Sequence, residues 1–164
     1  MSGADIRCPA MTAADMPEVW RIEQSLPGPW TFNQLRDELQ LPLGWHFTLK
    51  SAAGIHGYIF GITIAGEAEI RKLAIHQDFR RQGLGHKLLK QAWRHLTTQK
   101  AAACFLEVRE KNTAATALYR KNLFQTVGSR PDYYKLPPDN AVILRKNLSG
   151  GQPIQTRGQK ACEI

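Results

Sequence analysis

Apolar and polar residues alternate along the middle of the chain in two different rhythms. Trp45 to Lys50 and Ile55 to Ile64 are rich in β-branched and aromatic residues and flank the turn signal Ala53-Gly54, which predicts neighbouring strands. Ala65-Gly66 marks a second tight turn into a strand from Glu67 to Ile75. The period then changes. Leu84, Leu88, Ala92 and Leu96 recur every four residues, the spacing of one helical face, and predict a helix running to about Thr98. An apolar run from Ala102 to Val108 predicts a buried strand, and a helix follows from about Thr113 to Asn122 with Asn112 as its N-cap. Phe124 to Val127 and Ala141 to Leu144 are the last strand candidates, separated by a Pro-rich loop from Arg130 to Asp139.

The first forty residues carry helix punctuation. Asp5 to Pro9 is a short strand candidate. Thr12 is placed to cap a helix through about Gln24, with Asp15 and Glu18 where acidic groups suit the positive end of the helix dipole. Pro27-Gly28-Pro29 breaks that helix. Thr31 with Gln34 forms a capping box that opens a second helix through about Leu39, and Pro42 to Gly44 is a turn. The order β-α-α-β-β-β-α-β-α-β-β puts consecutive strands first and alternation second, so a mixed α/β sheet is expected rather than a doubly wound one. From Ser149 the chain reads Ser-Gly-Gly-Gln-Pro and is poor in large apolar residues, which predicts a flexible tail over 149–164 behind a single domain of residues 1–148.

Composition narrows the setting. No apolar stretch approaches the roughly 20 residues of a membrane span. Met1 to Asp5 has neither a charged nor an apolar leader region, so no secretion signal is read there. Cys8, Cys104 and Cys162 are odd in number and widely spaced, fit no metal-ligand pattern, and suggest a reducing, cytoplasmic setting with no metal. A net charge of +8 points to an anionic partner, either a polyphosphate ligand or nucleic acid. No zinc-finger, helix-turn-helix or RNP pattern accompanies the charge, so no specific nucleic-acid partner is called.

Candidate chemistry lies in two segments. Arg80-Arg81-Gln82-Gly83-Leu84-Gly85-His86 stands between a strand and a helix. The first turn of a helix has unpartnered amides and the positive end of the dipole, and glycines let a phosphate come close. Arg80, Arg81, His86 and Lys87 add positive charge. The pattern is neither a Walker A loop nor a Rossmann fingerprint, and a tight turn alone would also account for it. The second segment runs from Leu106 to Tyr119. Glu107 falls in an otherwise apolar strand, where it is a candidate general base or a structural carboxylate paired with Arg109 or another base. Tyr119 is either a core tyrosine or an acid, and Cys104 is expected to be buried and inert.

Taken together, these residues resemble the GNAT superfamily of N-acetyltransferases, in particular its RimI-type branch acting on ribosomal-protein N-terminal alanine. Arg80-x-x-Gly83-x-Gly85 is similar to the acetyl-CoA pyrophosphate loop of that superfamily. Leu106-Glu107-Val108-Arg109, Asn112, Ala115, Leu118-Tyr119 and Asn122-Leu123-Phe124 follow the RimI-branch pattern, as do Arg130 with Tyr133-Tyr134, and Pro29-Trp30. Leu123 stands where glycine is usual, and His86 where Arg or Lys is common. The resemblance covers about residues 5–148. It implies a mixed, mostly antiparallel sheet of about six to seven strands flanked by about four helices, and acetyl-CoA as co-substrate. It further implies that Leu73, Ala74 and Ile75 run beside the pantetheine arm and that Arg80, Arg81, Gln82, Gly83, Leu84, Gly85 and His86 hold the pyrophosphate. Asn112 would contact CoA, Glu107 would be the base and Tyr119 the acid that protonates the leaving thiolate. Trp30, Arg130, Tyr133 and Tyr134 would bind the acceptor, a protein N-terminus. Two other readings stay open: an acetyltransferase of small-molecule amines or lysine side chains, and a non-catalytic basic RNA- or ribosome-binding module.

Overall fold

The computed structural model describes residues 5–148; the tail expected over 149–164 lies outside the described residues. Helix α1 (Met16–Gln24) follows a 3₁₀ turn at Ala13–Asp15, and α2 is Phe32–Leu39. Three strands come next, β1 (Gly44–Ser51), β2 (Gly54–Ile64) and β3 (Glu67–Ile75), then α3 (Leu84–Thr98), β4 (Ala103–Arg109), α4 (Thr113–Lys121), β5 (Gln125–Lys135) and β6 (Pro138–Asn147). The six strands form one sheet in the order β1-β2-β3-β4-β6-β5. Every pairing is antiparallel except β3 with β4, so the mixed, mostly antiparallel α/β sheet is found.

The caps expected at Thr31 and Asn112 form, whereas the Thr12 side chain donates to Asp15 and Thr12 opens the 3₁₀ turn ahead of α1. Thr31 accepts from the Gln34 amide while Gln34 reaches back to the Thr31 amide. Asp15 accepts from the Thr12 amide at 2.8 Å, and the Asn112 side chain accepts from the Ala115 amide at 3.1 Å. Helices cover both faces of the sheet. Leu84, Leu88, Leu89, Ala92 and Leu96 of α3 pack with Tyr119 and Phe124 against Phe47, Leu49 and Ile59 on one face. Met16, Val19, Ile22 and Leu35 pack against Tyr58 and Phe60 on the other. Each fully buried leucine contributes about 1.5–3 kcal/mol of transfer free energy. Strand β2 is covered on both sides, which is why its sequence reads as a continuous apolar run.

Two expectations are corrected. Asp5 to Pro9 is not a strand; only the isolated bridges Arg7–Lys50 and Ala10–Phe47 touch β1. Pro9 has no N–H to extend a ladder. The Pro-rich stretch from Arg130 to Asp139 is not a loop but the end of β5, a tight turn at Leu136-Pro137, and the start of β6. Prolines are tolerated there because β5 is the sheet's edge strand and its pairing with β6 is interrupted between Arg130 and Tyr134.

Strand β3 carries the feature that makes the site. The β2–β3 register slips by one residue, pairing Gly61 with Ile70 but Phe60 with Lys72, so Arg71 bulges. An extra residue inverts which face each later side chain meets. Accordingly Ala68 and Ile70 belong to the α3 core, whereas Ala74 belongs to the α1/α2 core. The parallel ladder between β3 and β4 also ends at Ile70–Leu106. Beyond it the two strands part, and a cleft opens between them.

Candidate active site

Leu73, Ala74 and Ile75 pair with Ile59, Tyr58 and Gly57 of β2 on one side and have no strand partner on the β4 side. They line a cavity of about 810 Å³ that runs to the N-terminus of α3. Arg80, Arg81, Gly83, Leu84, Gly85, His86 and Asn112 line it too, so it gathers every residue proposed for the cofactor except Gln82. Gln82 turns back to the Asp78 carbonyl at 3.4 Å.

The loop before α3 has the required shape. Arg81 and Gly83 both have left-handed φ values, 62° and 75°. A β-carbon on Gly83 would meet nothing within 4 Å, so glycine there serves the backbone conformation and leaves open space over the helix start. Gly85 has a different duty. A β-carbon there would lie 2.8 Å from Leu118 Cδ2, so its absence lets α4 pack on the first turn of α3. The amides opening α3 lack intrahelical partners, and cationic side chains surround them. The Arg80 guanidinium also donates to the Ile75 carbonyl at 3.1 Å. His86 Nδ1 lies 2.9 Å from Asn122 Oδ1, whose amide nitrogen donates to the Leu118 carbonyl. With the amide so oriented, Nδ1 is the donor and Nε2 is the nitrogen left for a ligand.

A second cavity of about 360 Å³ continues from the first, sharing Leu26, Pro27, Leu73, Arg109, Asn112 and Ala115. Glu107, Tyr119, Tyr134 and Trp30 line it, so the sheet and α4 bring the proposed base, the proposed acid and two of the acceptor residues together. Glu107 Oε1 is 2.8 Å from Arg130 Nε. Its partner is thus Arg130 rather than Arg109. Hydrogen bonding toward the neighbouring Glu107 carboxylate, with partial burial, holds the Tyr133 hydroxyl above its ordinary pKa. Arg130 and Tyr133 flank Glu107 without forming the cavity wall. Burial pushes the pKa of Tyr119 well above the usual tyrosine range, so it stays protonated. Cys104 is fully buried and its thiol is pushed up to about 12, mainly by that burial, which leaves it a poor nucleophile.

Some lining residues carry weaker sequence signals. Lys111 and Lys121 add charge to the large cavity. Lys121 follows Ala114, Ala117 and Leu118 at helical spacing, a face that could have been read from the sequence. Arg109 donates to the Leu136 and Pro137 carbonyls at 3.1 and 2.7 Å and stacks 4.1 Å from the Tyr134 ring centroid. It therefore ties the β5–β6 turn over the cleft, a contact between residues 27 or 28 positions apart that no local pattern reports. Among the described residues no group of three or more His, Cys, Asp or Glu is placed to hold a metal, and no helix is long and apolar enough to cross a membrane.

Residues 15–123 match the model of the acetyltransferase (GNAT) family. The chain belongs to the GNAT family of acetyltransferases. Within that family it is 35% identical over 147 residues to the [ribosomal protein bS18]-alanine N-acetyltransferase of Salmonella typhimurium, covering 85% of this chain and 95% of that one. It is 30% identical over 145 residues to N-alpha-acetyltransferase RimI of Mycobacterium tuberculosis, covering 84% and 90%. The crystal structure of the ribosomal-protein-S18-alanine N-acetyltransferase of Escherichia coli superposes with a TM-score of 0.81 at 26% identity, over 90% of this chain and 96% of that one. The PaiA N-acetyltransferase of Thermoplasma acidophilum, solved with coenzyme A, shares the fold with a TM-score of 0.71 at 18% identity, over 87% and 99%. This GNAT chain is an N-acetyltransferase.

Proposed function

We propose that the enzyme transfers the acetyl group of acetyl-CoA to the α-amine of a protein N-terminus, with a ribosomal protein beginning with alanine as the acceptor. The observation that supports it most is the continuity of the two cavities. An anion-holding helix start lies at one end, and Glu107 with Tyr119 lies at the other. The names of the relatives point to the same acceptor class.

The residues present fit acetyl-CoA. The α3 amides with Arg80, Arg81, Lys111 and Lys121 suit its phosphates, and the unpaired edge of Leu73 to Ile75 suits the amides of its pantetheine arm. Bound acetyl-CoA supplies a thioester already activated toward amines. Backbone N–H groups on the β3 edge can polarise its carbonyl. Glu107 takes the proton of the acceptor ammonium, directly or through water, and Arg130 yields its place beside the carboxylate as the acceptor arrives. The freed amine attacks the thioester carbonyl and the C–S bond breaks; Tyr119 donates its hydroxyl proton to the departing sulfur and is reprotonated, through water, by the second proton that the nitrogen sheds as the amide forms.

The acceptor class follows from acidity. An α-amine has a pKa of roughly 7.7–8.0 and lysine about 10.4, a difference near 2.5 units, so neutral lysine costs about 3.4 kcal/mol more. One carboxylate serves an N-terminus far more easily. The test is acetyl-CoA turnover across peptides that differ in their first residue, with a peptide bearing lysine as its only free amine as control. Turnover of the α-amine peptides alone is expected. Turnover confined to small amines or lysine would replace this acceptor, and tight salt-sensitive RNA binding without turnover would replace the enzyme reading.

A further inference from the structure

Behind the wall of the small cavity sits a carboxylate that the chemistry above does not use. Glu23, near the end of α1, is completely buried. Its Oε1 accepts from the Trp30 amide at 2.7 Å and from Lys72 Nζ at 2.6 Å, and its Oε2 accepts from the Tyr58 hydroxyl. Lys72 Nζ in turn lies 4.9 Å from the centroid of the Trp30 ring. Trp30 and Lys72 both line the small cavity; Glu23 and Tyr58 do not.

A buried carboxylate is costly and persists only with a full set of donors, whereas apolar side chains would fill the same space without that cost. No ladder or helix bond of the fold needs the Glu23 side chain. Its three donors instead come from three elements that meet at the acceptor end: the loop after α1, β2 and β3. The arrangement fixes Trp30, the aromatic residue by which that loop lines the cavity. Glu23 also pairs with Lys72 and holds it over the Trp30 face, offsetting its charge beside the space an incoming ammonium would enter. A free Lys72 cation there would repel the acceptor's own positive charge.

We propose that Glu23 is a positioning residue that sets acceptor binding and the size of the first side chain admitted, by locking Trp30 and Lys72 into one wall. The inference rests on the acceptor reading above. Glu23→Gln is expected to raise the acceptor KM by about ten- to a hundredfold, with a smaller change in kcat and unchanged acetyl-CoA affinity. It is also expected to lower the preference for peptides beginning with alanine over those beginning with leucine. The double variant Glu23→Gln with Lys72→Met carries no unpaired buried charge. It should recover most of the acceptor KM while keeping the relaxed first-residue preference. Tyr58→Phe, which spares the bonds to Trp30 and Lys72, should shift both readouts in the same direction by less.

Kinetics on the Ala- and Leu-initial peptides with all four proteins, beside calorimetric titration with acetyl-CoA, decide the matter. A lowered melting temperature with unchanged KM and unchanged preference in Glu23→Gln would overturn the proposal. Should that single variant fail to fold, an unchanged preference in the double variant would overturn it equally. Wild-type protein that acetylates none of the peptides would bring down the acceptor reading itself, a different failure from a variant that behaves like wild type.

Discussion

Replacing Glu107 by glutamine removes a proton acceptor while keeping nearly the same shape and one acceptor oxygen toward Arg130. Its side chain is 26% exposed and that of Arg130 is 56% exposed. A pair this solvated contributes about 0–1 kcal/mol, so the melting temperature should fall by less than about 4 °C. Glu107 lines the small cavity and not the large one, so acetyl-CoA affinity should hold. Loss of a general base costs about 10²–10⁴ in rate, or roughly 2.7–5.5 kcal/mol. The pH profile makes this diagnostic. With an acceptor pKa near 8, about one α-amine in ten is neutral at pH 7 and about nine in ten at pH 9. The deficit of Glu107→Gln on an α-amine peptide should therefore shrink by up to about tenfold over those two units, then level off. On a lysine acceptor, whose pKa is about 10.4, the neutral fraction rises about a hundredfold over the same two units yet reaches only about one in twenty-five at pH 9, so the deficit should start larger, shrink more steeply and still not level off there. Steady-state rates of wild type and variant from pH 6.5 to 9.5, on one peptide of each kind, measure this. A deficit on the α-amine peptide that is constant across that range would refute Glu107 as the group that removes the ammonium proton.

Tyr119→Phe should slow transfer with little change in acetyl-CoA affinity, because the ring's packing against Phe124 at 5.5 Å is kept; full single-turnover rates would remove Tyr119 as the acid. Leu123 holds the left-handed position after α4, with φ of 67° and 74% exposure, in a turn closed by the Leu123 amide to the Arg120 carbonyl and the Phe124 amide to the Tyr119 carbonyl. Relief of about 1–2 kcal/mol of left-handed strain outweighs about 0.4–1 kcal/mol from glycine's freer unfolded chain and about 0.4 kcal/mol of lost burial. Leu123→Gly should thus raise the melting temperature by about 1–3 °C without altering kcat, and a fall in thermal melts would contradict this. Burial raises the folded-state pKa of both Tyr58 and Tyr119. Their contribution is fully present below the unfolded tyrosine value near 10 and is lost as pH rises through the folded values, so urea midpoints should fall only above about pH 10. A midpoint that rises between pH 10 and 11 would contradict the assigned burial.

How far the site could be read from the sequence depended on the range of each signal. The Gly83 loop announced itself because a left-handed turn and a helix start are local events. Asn112 and Thr31 did so for the same reason: a cap spans three residues. The β5–β6 hairpin was hidden, since prolines usually argue against a strand and only an edge position with an interrupted ladder admits them. Arg130 could be matched to a motif, but its role as the partner of Glu107 depends on β4, β5 and β6 lying side by side.

The sequence by itself determined α1 to α4, β1 to β4 and their order, and the loop at the start of α3. All of these rest on periodicity, capping and short spacings, which the chain expresses within a turn or two. Only the tertiary structure decided where the two cavities lie. The Arg71 bulge inverts the facing of β3, and the parallel ladder stops at Ile70–Leu106, so a cleft opens along the backbone of Leu73 to Ile75. It likewise brought Glu23, Lys72 and Trp30 together. A strand register and a contact across 49 residues are set by the competition of whole faces for burial, and no short stretch of sequence carries that information.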